Sequence, residues 1–238
     1  MPQDREVAYT ADGTEFAGRL FLPDGEGKRP AVLVAHEANG LSDHELDRAR
    51  GLAGLGYVAF AMDYHGSARA PTDAEMMARL EYLGTNPAVM RAITRTALEV
   101  LTAEPRVDAA KVAAIGYCFG AVMVLELARD QADLKAVVGF HPGSADHDPE
   151  DSRNITGKVL VCIGSEDPMM PAEQRLAFEE EMRAAGADWQ MILYGGAKHA
   201  FTNPYADRYG MPEVAYHELS DTRSWRAMTG LFDEVFKP

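Results

Sequence analysis

Short apolar runs alternating with stretches of helical spacing constrain this chain more than any other feature. Eight such runs stand out, at residues 6–10, 15–22, 31–35, 57–62, 112–117, 136–140, 159–164 and 190–194. Ala31-Val32-Leu33-Val34-Ala35 has no polar residue at alternate positions, which predicts a strand buried on both faces. Strands of that kind need helices above and below the sheet. The intervening segments carry the matching punctuation. Ser42-x-x-Glu45 and Thr72-x-x-Glu75 read as capping boxes, and Asn86-Pro87 as an N-cap followed by proline at the first helical position. Met90, Ile93, Ala97 and Leu101 form the inward stripe of that third helix. Three more helices are expected, after Tyr117 through about Arg129, from about Pro171 to Ala185, and after a cap at Ser220. Asp12-Gly13, between the first two runs, marks a hairpin. There is no repeat and no Pro/Gly/Ser-rich linker. The expectation is one α/β domain over residues 1–238, a mostly parallel sheet with helices on both faces and an antiparallel N-terminal hairpin.

Charge narrows the partners. Lys and Arg number 23 against 37 Asp and Glu, a formal charge of −14. A field of that sign repels nucleic-acid backbones and anionic membranes, so neither is expected as a partner. No apolar run approaches the roughly 18 residues of a membrane span. Met1–Glu6 offers no apolar stretch behind a basic end, so no secretory signal is expected, and two cysteines cannot build a disulfide framework. A cytoplasmic protein is the expectation.

In an open parallel sheet, ligands sit at the carboxyl ends of the strands. Three reactive side chains follow predicted strands there: Cys118, Asp167 and His199, spaced 49 and 32 residues apart. Each gap has room for a crossover, so the three can converge. Cys118 lies in Gly116-Tyr117-Cys118-Phe119-Gly120, the pattern of a nucleophile elbow with sulfur in place of a hydroxyl. The glycines would let a strand turn abruptly into a helix and lift the side chain above the sheet. The Phe119 amide would then sit at a helix N-terminus, favouring a thiolate and later an oxyanion. Taken singly, each residue has a plainer reading: a buried cysteine, a turn aspartate, a loop histidine. Cys162, in mid-strand, is read that way, and Glu166 rivals Asp167 for the acid role. The joint pattern, in the order nucleophile, acid, histidine, favours covalent catalysis. Glu37 follows the third run, and the Ala38 amide is placed to be a second oxyanion donor.

Other signals are weaker. Asp146-His147-Asp148 has metal-ligating residue types, but acidic residues before Pro149 read as turn formers, and no metal is expected. The dinucleotide fingerprint and the phosphate-binding loop are missing, so no cofactor is expected. His44 and His217 read as surface positions. The segment 202–219, with Tyr205, Tyr209 and Tyr216, could wall the cleft or form a homodimer contact.

These residues resemble the dienelactone hydrolase family of α/β-hydrolases over nearly the whole chain. The resemblance rests on the cysteine elbow at Cys118, the acid at Asp167, the His199-Ala200-Phe201 segment and Glu37. It implies an α/β-hydrolase fold and hydrolysis of a small-molecule ester or lactone through a thioester. It further implies that Glu37 holds the resting thiol and takes its proton when substrate arrives. Well-known members carry an arginine four residues beyond the histidine to read a substrate carboxylate; Asn203 stands there in this chain. Arg69 and Arg79 lie in the segment that supplies another such arginine. With His36, Tyr64, Phe201 and Asn203 they form the expected substrate pocket. The missing cation favours neutral substrates such as aryl esters. The chain is also similar to a phosphotriester-hydrolysing member of the family, which makes a phosphotriester a further expected substrate. A different reading stays open at this point: a ligand-binding or redox-sensing thiol protein on the same scaffold.

Overall fold

Strands β1 (Gln3–Ala11) and β2 (Thr14–Leu22) pair antiparallel around Asp12 and Gly13, whose φ values of 47° and 71° are those of a two-residue hairpin turn. The computed structural model describes residues 3–66, 71–143, 145 and 147–237. Six further strands run parallel to one another: β3 (Arg29–Ala35), β4 (Val58–Met62), β5 (Val107–Tyr117), β6 (Ala136–Phe140), β7 (Lys158–Gly164) and β8 (Trp189–Tyr194). The sheet order is β1-β2-β4-β3-β5-β6-β7-β8, with β2 antiparallel to β4. This is the α/β-hydrolase architecture expected above.

Six helices cover the sheet: α1 (Asp43–Gly54), α2 (Asp73–Gly84), α3 (Pro87–Thr102), α4 (Phe119–Arg129), α5 (Ala172–Ala185) and α6 (Glu218–Phe236). The period of two in β3 divides the core. Leu33 and Ala35 join Met90 and Ile93 of α3, Met123 of α4 and Phe178 of α5 on one face. Val32 and Val34 join Leu52 of α1 and Met228 and Phe232 of α6 on the other.

Three details differ from the sequence reading in ways that have a physical reason. Strand β5 begins at Val107 rather than 112, because Ala109 and Ala110 are exposed and only the buried second half leaves an apolar signature. Asn86 occupies the N-cap position of α3 but caps nothing; its Nδ2 donates back to the Tyr82 carbonyl at 2.7 Å. Helix α6 starts earlier than a Ser220 cap implies. His217 is the cap, its Nδ1 accepting from the Ser220 amide at 3.3 Å, while Ser220 itself is buried.

From β3 the chain passes through α1 to β4, then returns through α2 and α3 to β5 on the opposite side of β3. The carboxyl ends of β3 and β5 therefore flank the point where strand order reverses, the usual ligand crevice of open α/β sheets. Glu37 leaves one of these strands and Cys118 the other.

Candidate active site

Cys118 is the single residue between β5 and α4, at φ 53° and ψ −119°. A non-glycine residue there carries strain of about 1–3 kcal/mol, tolerated only where the surroundings enforce it. The enforcement is visible. The Cys118 amide donates to the Phe140 carbonyl at 3.0 Å, and the helix start presses against both β5 and β3. A Cβ on Gly116 would lie 2.1 Å from the Gly120 carbonyl oxygen, and one on Gly120 only 2.3 Å from that of His36. The glycine spacing seen in the sequence thus has a packing cause. Phe119 opens α4, so its amide has no carbonyl one turn earlier to bond. His141 and Ala200, two more residues with positive φ, lie in the strand-end loops around it.

Asp167 is buried in the turn after β7. Its Oδ2 meets His199 Nδ1 at 2.9 Å, and its Oδ1 accepts from the Met169 amide at 2.8 Å, so both oxygens are fixed. Glu166, the rival acid, is exposed. His199 is held by backbone bonds on both sides, its amide donating to Glu213 and its carbonyl accepting from Ala215. Its Nε2 is buried and makes no hydrogen bond of ordinary geometry. Burial alone would press the imidazole pKa down, but the adjoining Cys118 sulfur and the Asp167 carboxylate hold it well above its ordinary value. That favours the protonated form of the His199 ring. Cys162 is the contrast: buried in β7, with its thiol pushed up to about 12 by desolvation.

Glu37 is buried as well. Its Oε2 accepts from Asn203 Nδ2 at 2.7 Å and from the Tyr209 hydroxyl at 3.0 Å, while its Oε1 accepts no hydrogen bond and lies 3.8 Å from His141 Nε2. The carboxyl is therefore turned toward Asn203 and Tyr209. Burial, reinforced by the negative charge of Glu45, raises its pKa to about 7 against the lowering pull of Asn203, His199 and Tyr209. Two roles meet in Glu45. Its Oε2 closes the capping box on Ser42, and its Oε1 accepts the Glu37 amide at 3.0 Å. The loop after β3 is braced further by the Tyr64 hydroxyl, which donates to the carbonyls of His36 and Glu37, and by His65, which donates to that of Ala38.

Of the residues expected to line a pocket, His36, Tyr64, Phe201 and Asn203 are all buried beneath the site. His36 accepts from the Tyr64 amide at 3.2 Å, and Phe201 packs against His141 and Tyr194. Arg79 donates to the Tyr64 carbonyl at 3.0 Å and borders an open cavity with His65 and Tyr82. Arg69 lies outside the described residues. His44, expected at the surface, is buried against Tyr117, within 3.4 Å of the Thr202 hydroxyl that also bonds His141. Asp146 is outside the described residues; His147 pairs with Glu181 at 3.0 Å, and Asp148 caps a short helical turn. The sequence reads Glu45 as a capping-box residue, His141 as a strand-end histidine that could line the cleft, and Tyr209 as one tyrosine of the segment 202–219; their contacts with Glu37 and His199 come from the structure.

No helix among the described residues is long and apolar enough to cross a membrane. Known proteins agree with the geometry. A solved structure named m3DLH is 48% identical, covers 99% of each chain and superposes with a TM-score of 0.95. A dienelactone hydrolase-like promiscuous phosphotriesterase from metagenomic libraries is 41% identical over 98% of each chain, also at 0.95. A Yersinia pestis protein named "Putative carboxymethylenebutenolidase" is 27% identical over 244 residues, 96% of this chain and 87% of its own. The model of the dienelactone hydrolase family matches residues 16–236. With an elbow cysteine, a buried Asp–His pair and this sheet order in one chain, the protein is a hydrolase that belongs to the dienelactone hydrolase family.

Proposed function

We propose that the chain hydrolyses small, neutral esters and lactones through a covalent thioester on Cys118, and neutral phosphotriesters by the same route. The observation that carries this reading is the state of His199. Its Nδ1 is fixed by Asp167, and its Nε2 is left without an oxygen or nitrogen partner beside the Cys118 sulfur. In the proposed cycle the thiol proton resides on His199 and the sulfur attacks the carbonyl carbon. An S–C bond forms while the carbonyl π pair moves to oxygen, toward the amides of Phe119 and Ala38. The ester C–O bond then breaks and His199 gives its proton to the departing oxygen. Water attacks the thioester, His199 takes the water proton, and the S–C bond breaks to restore the thiolate.

Glu37, turned toward Asn203 and Tyr209, is in this reading the carboxyl that has let go of the sulfur. With a pKa of about 7 it can take up or release a proton near neutral pH. A phosphotriester would place its phosphoryl oxygen in the same amide cradle. The phosphorylated cysteine would break down more readily than a phosphoserine, because a thiolate leaves more easily than an alkoxide. The test is Cys118→Ala with para-nitrophenyl acetate, together with intact-mass analysis after a slow ester. Loss of far more than about tenfold in turnover, with an acyl adduct only on the unsubstituted chain, is expected. A variant within tenfold of the parent, or one that still takes the adduct, sinks the proposal.

A further inference from the structure

A cavity of about 180 Å³, lined in part by the first turns of α4, is left unassigned by the reaction scheme. Its apolar walls are Val122 and Leu125 of α4, Met170, and Phe178 of α5, with Pro142 at the rim. Val122 lies in the first turn of α4, four residues after Cys118. Met170 donates its amide to the Asp167 carbonyl at 3.4 Å, and Pro142 follows His141, whose ring meets that of His199 edge-on. Met170 and Pro142 therefore lie in strand-end loops next to Asp167 and His141, and Val122 in the helix that Cys118 opens.

The polar end of this cavity is nearly saturated. Arg129 donates to Ser152 at 3.0 Å, to Glu126 at 2.9 Å and to Glu181 at 2.8 Å. His147 is spent on Glu181 and the Ala145 carbonyl. One lining group is not: Gln174 Oε1 is buried and accepts no hydrogen bond. A buried acceptor without a donor destabilises the fold, and a ligand carrying a donor would remove that cost.

Stereochemistry decides which part of a substrate reaches the cavity. A carbonyl oxygen held by Phe119 and Ala38 points toward β3, leaving the other two substituents on the β6–β7 side. The departing group has to face His199 to be protonated. The cavity includes no residue of the His199 loop, residues 195–217, among its described lining. It is left for the group that stays on sulfur. Its volume suits one aromatic ring, since a dry cavity of about 150 Å³ accepts benzene.

Building on the thiol-hydrolase reading, we infer that this cavity is the acyl subsite, selecting a neutral, ring-sized acyl group that carries a hydrogen-bond donor at its far end, as a hydroxybenzoyl group does. Gln174 receives the donor, and Val122, Met170 and Phe178 sandwich the ring. Anionic acyl groups have no claim on the site, because the guanidinium of Arg129 already pairs with the carboxylates of Glu126 and Glu181.

The experiment compares kcat/KM for para-nitrophenyl acetate, benzoate, para-hydroxybenzoate and naphthoate, with intact-mass detection of the Cys118 adduct. Val122→Phe, which fills the cavity, should lower the benzoate-to-acetate ratio at least about tenfold. Phe178→Ala, which enlarges it, should raise the naphthoate-to-benzoate ratio, so the inference does not hang on one variant folding. Gln174→Leu should erase the preference for hydroxybenzoate over benzoate. Selectivity ratios that stay put while acyl adducts still form overturn the subsite and leave the hydrolase reading intact. Absence of any adduct on the parent chain takes both readings down.

Discussion

Replacing Glu37 by Gln tests the electrostatics of the site without asking for turnover. The substitution keeps the shape of the side chain and an oxygen able to accept from Asn203 and Tyr209, and it removes the ionisable proton. In the folded protein the carboxyl titrates at about 7, against 4.5 for an ordinary glutamate. Between these values the folded state holds a proton that the unfolded chain has released. Stability from this group is therefore full below about 4.5 and is lost as pH rises through 7. At about 1.4 kcal/mol per pH unit of that window, the ionised form costs the fold about 3 kcal/mol. The amide carries no such cost. Urea unfolding of the two proteins should give nearly equal free energies at pH 4.5. At pH 8 the variant should be the more stable one, by about 3 kcal/mol. A gap that does not change with pH, or a variant weaker than the parent at pH 8, refutes the claim that burial and Glu45 hold this carboxyl poised near neutrality.

The remaining predictions concern its neighbours and the frame that holds them. Tyr209→Phe removes a hydrogen bond that lowers the Glu37 pKa, so carbon-detected NMR titration of that carboxyl should show its midpoint moving to higher pH; no movement would mean that the hydroxyl is not a partner in solution. Iodoacetamide at pH 8 should place one adduct, on Cys118, because Cys162 is buried with its thiol at about 12; peptide mapping that finds Cys162 modified first contradicts the reading. Gly120→Ala puts a methyl group 2.3 Å from the backbone oxygen of His36 and should cost more than about 4 kcal/mol in a thermal melt. Gly230→Ala, in open space within α6, should instead gain about 1 kcal/mol.

The fold was legible because its signals are local and repeated. Buried strands such as β3 and β4 read as unbroken apolar runs, and the capping boxes of α1 and α2 are four-residue patterns whose hydrogen bonds all form in the structure. Cys118, Asp167 and His199 were legible for a related reason: each follows a strand, and strand ends converge. Signals failed where a side chain serves two masters or reaches across the chain. Nothing in Ser42-x-x-Glu45 announces that the second Glu45 oxygen holds the Glu37 amide. His44 looks like a surface residue of an amphipathic helix until α1 is laid on the sheet and the ring comes to rest against Tyr117. Tyr209 meets Glu37 over 172 positions, a contact that no spacing rule reaches.

The departure at residue 203 ties the electrostatics to the substrate. An arginine there would neutralise Glu37 and still present a fixed cation to an anionic substrate. Asn203 and Tyr209 offer Glu37 two dipoles instead. Dipoles solvate a buried carboxylate but do not cancel its charge, so the pKa stays high rather than falling below its ordinary value. The same exchange deprives the crevice of a positive charge, in a protein whose formal charge is −14. A carboxylate-bearing substrate would then enter a site that already holds the buried, titrating Glu37. In the proposed reaction a neutral ester or triester incurs no such penalty, and the charge developing on its oxygen during attack would be met by the amides of Phe119 and Ala38.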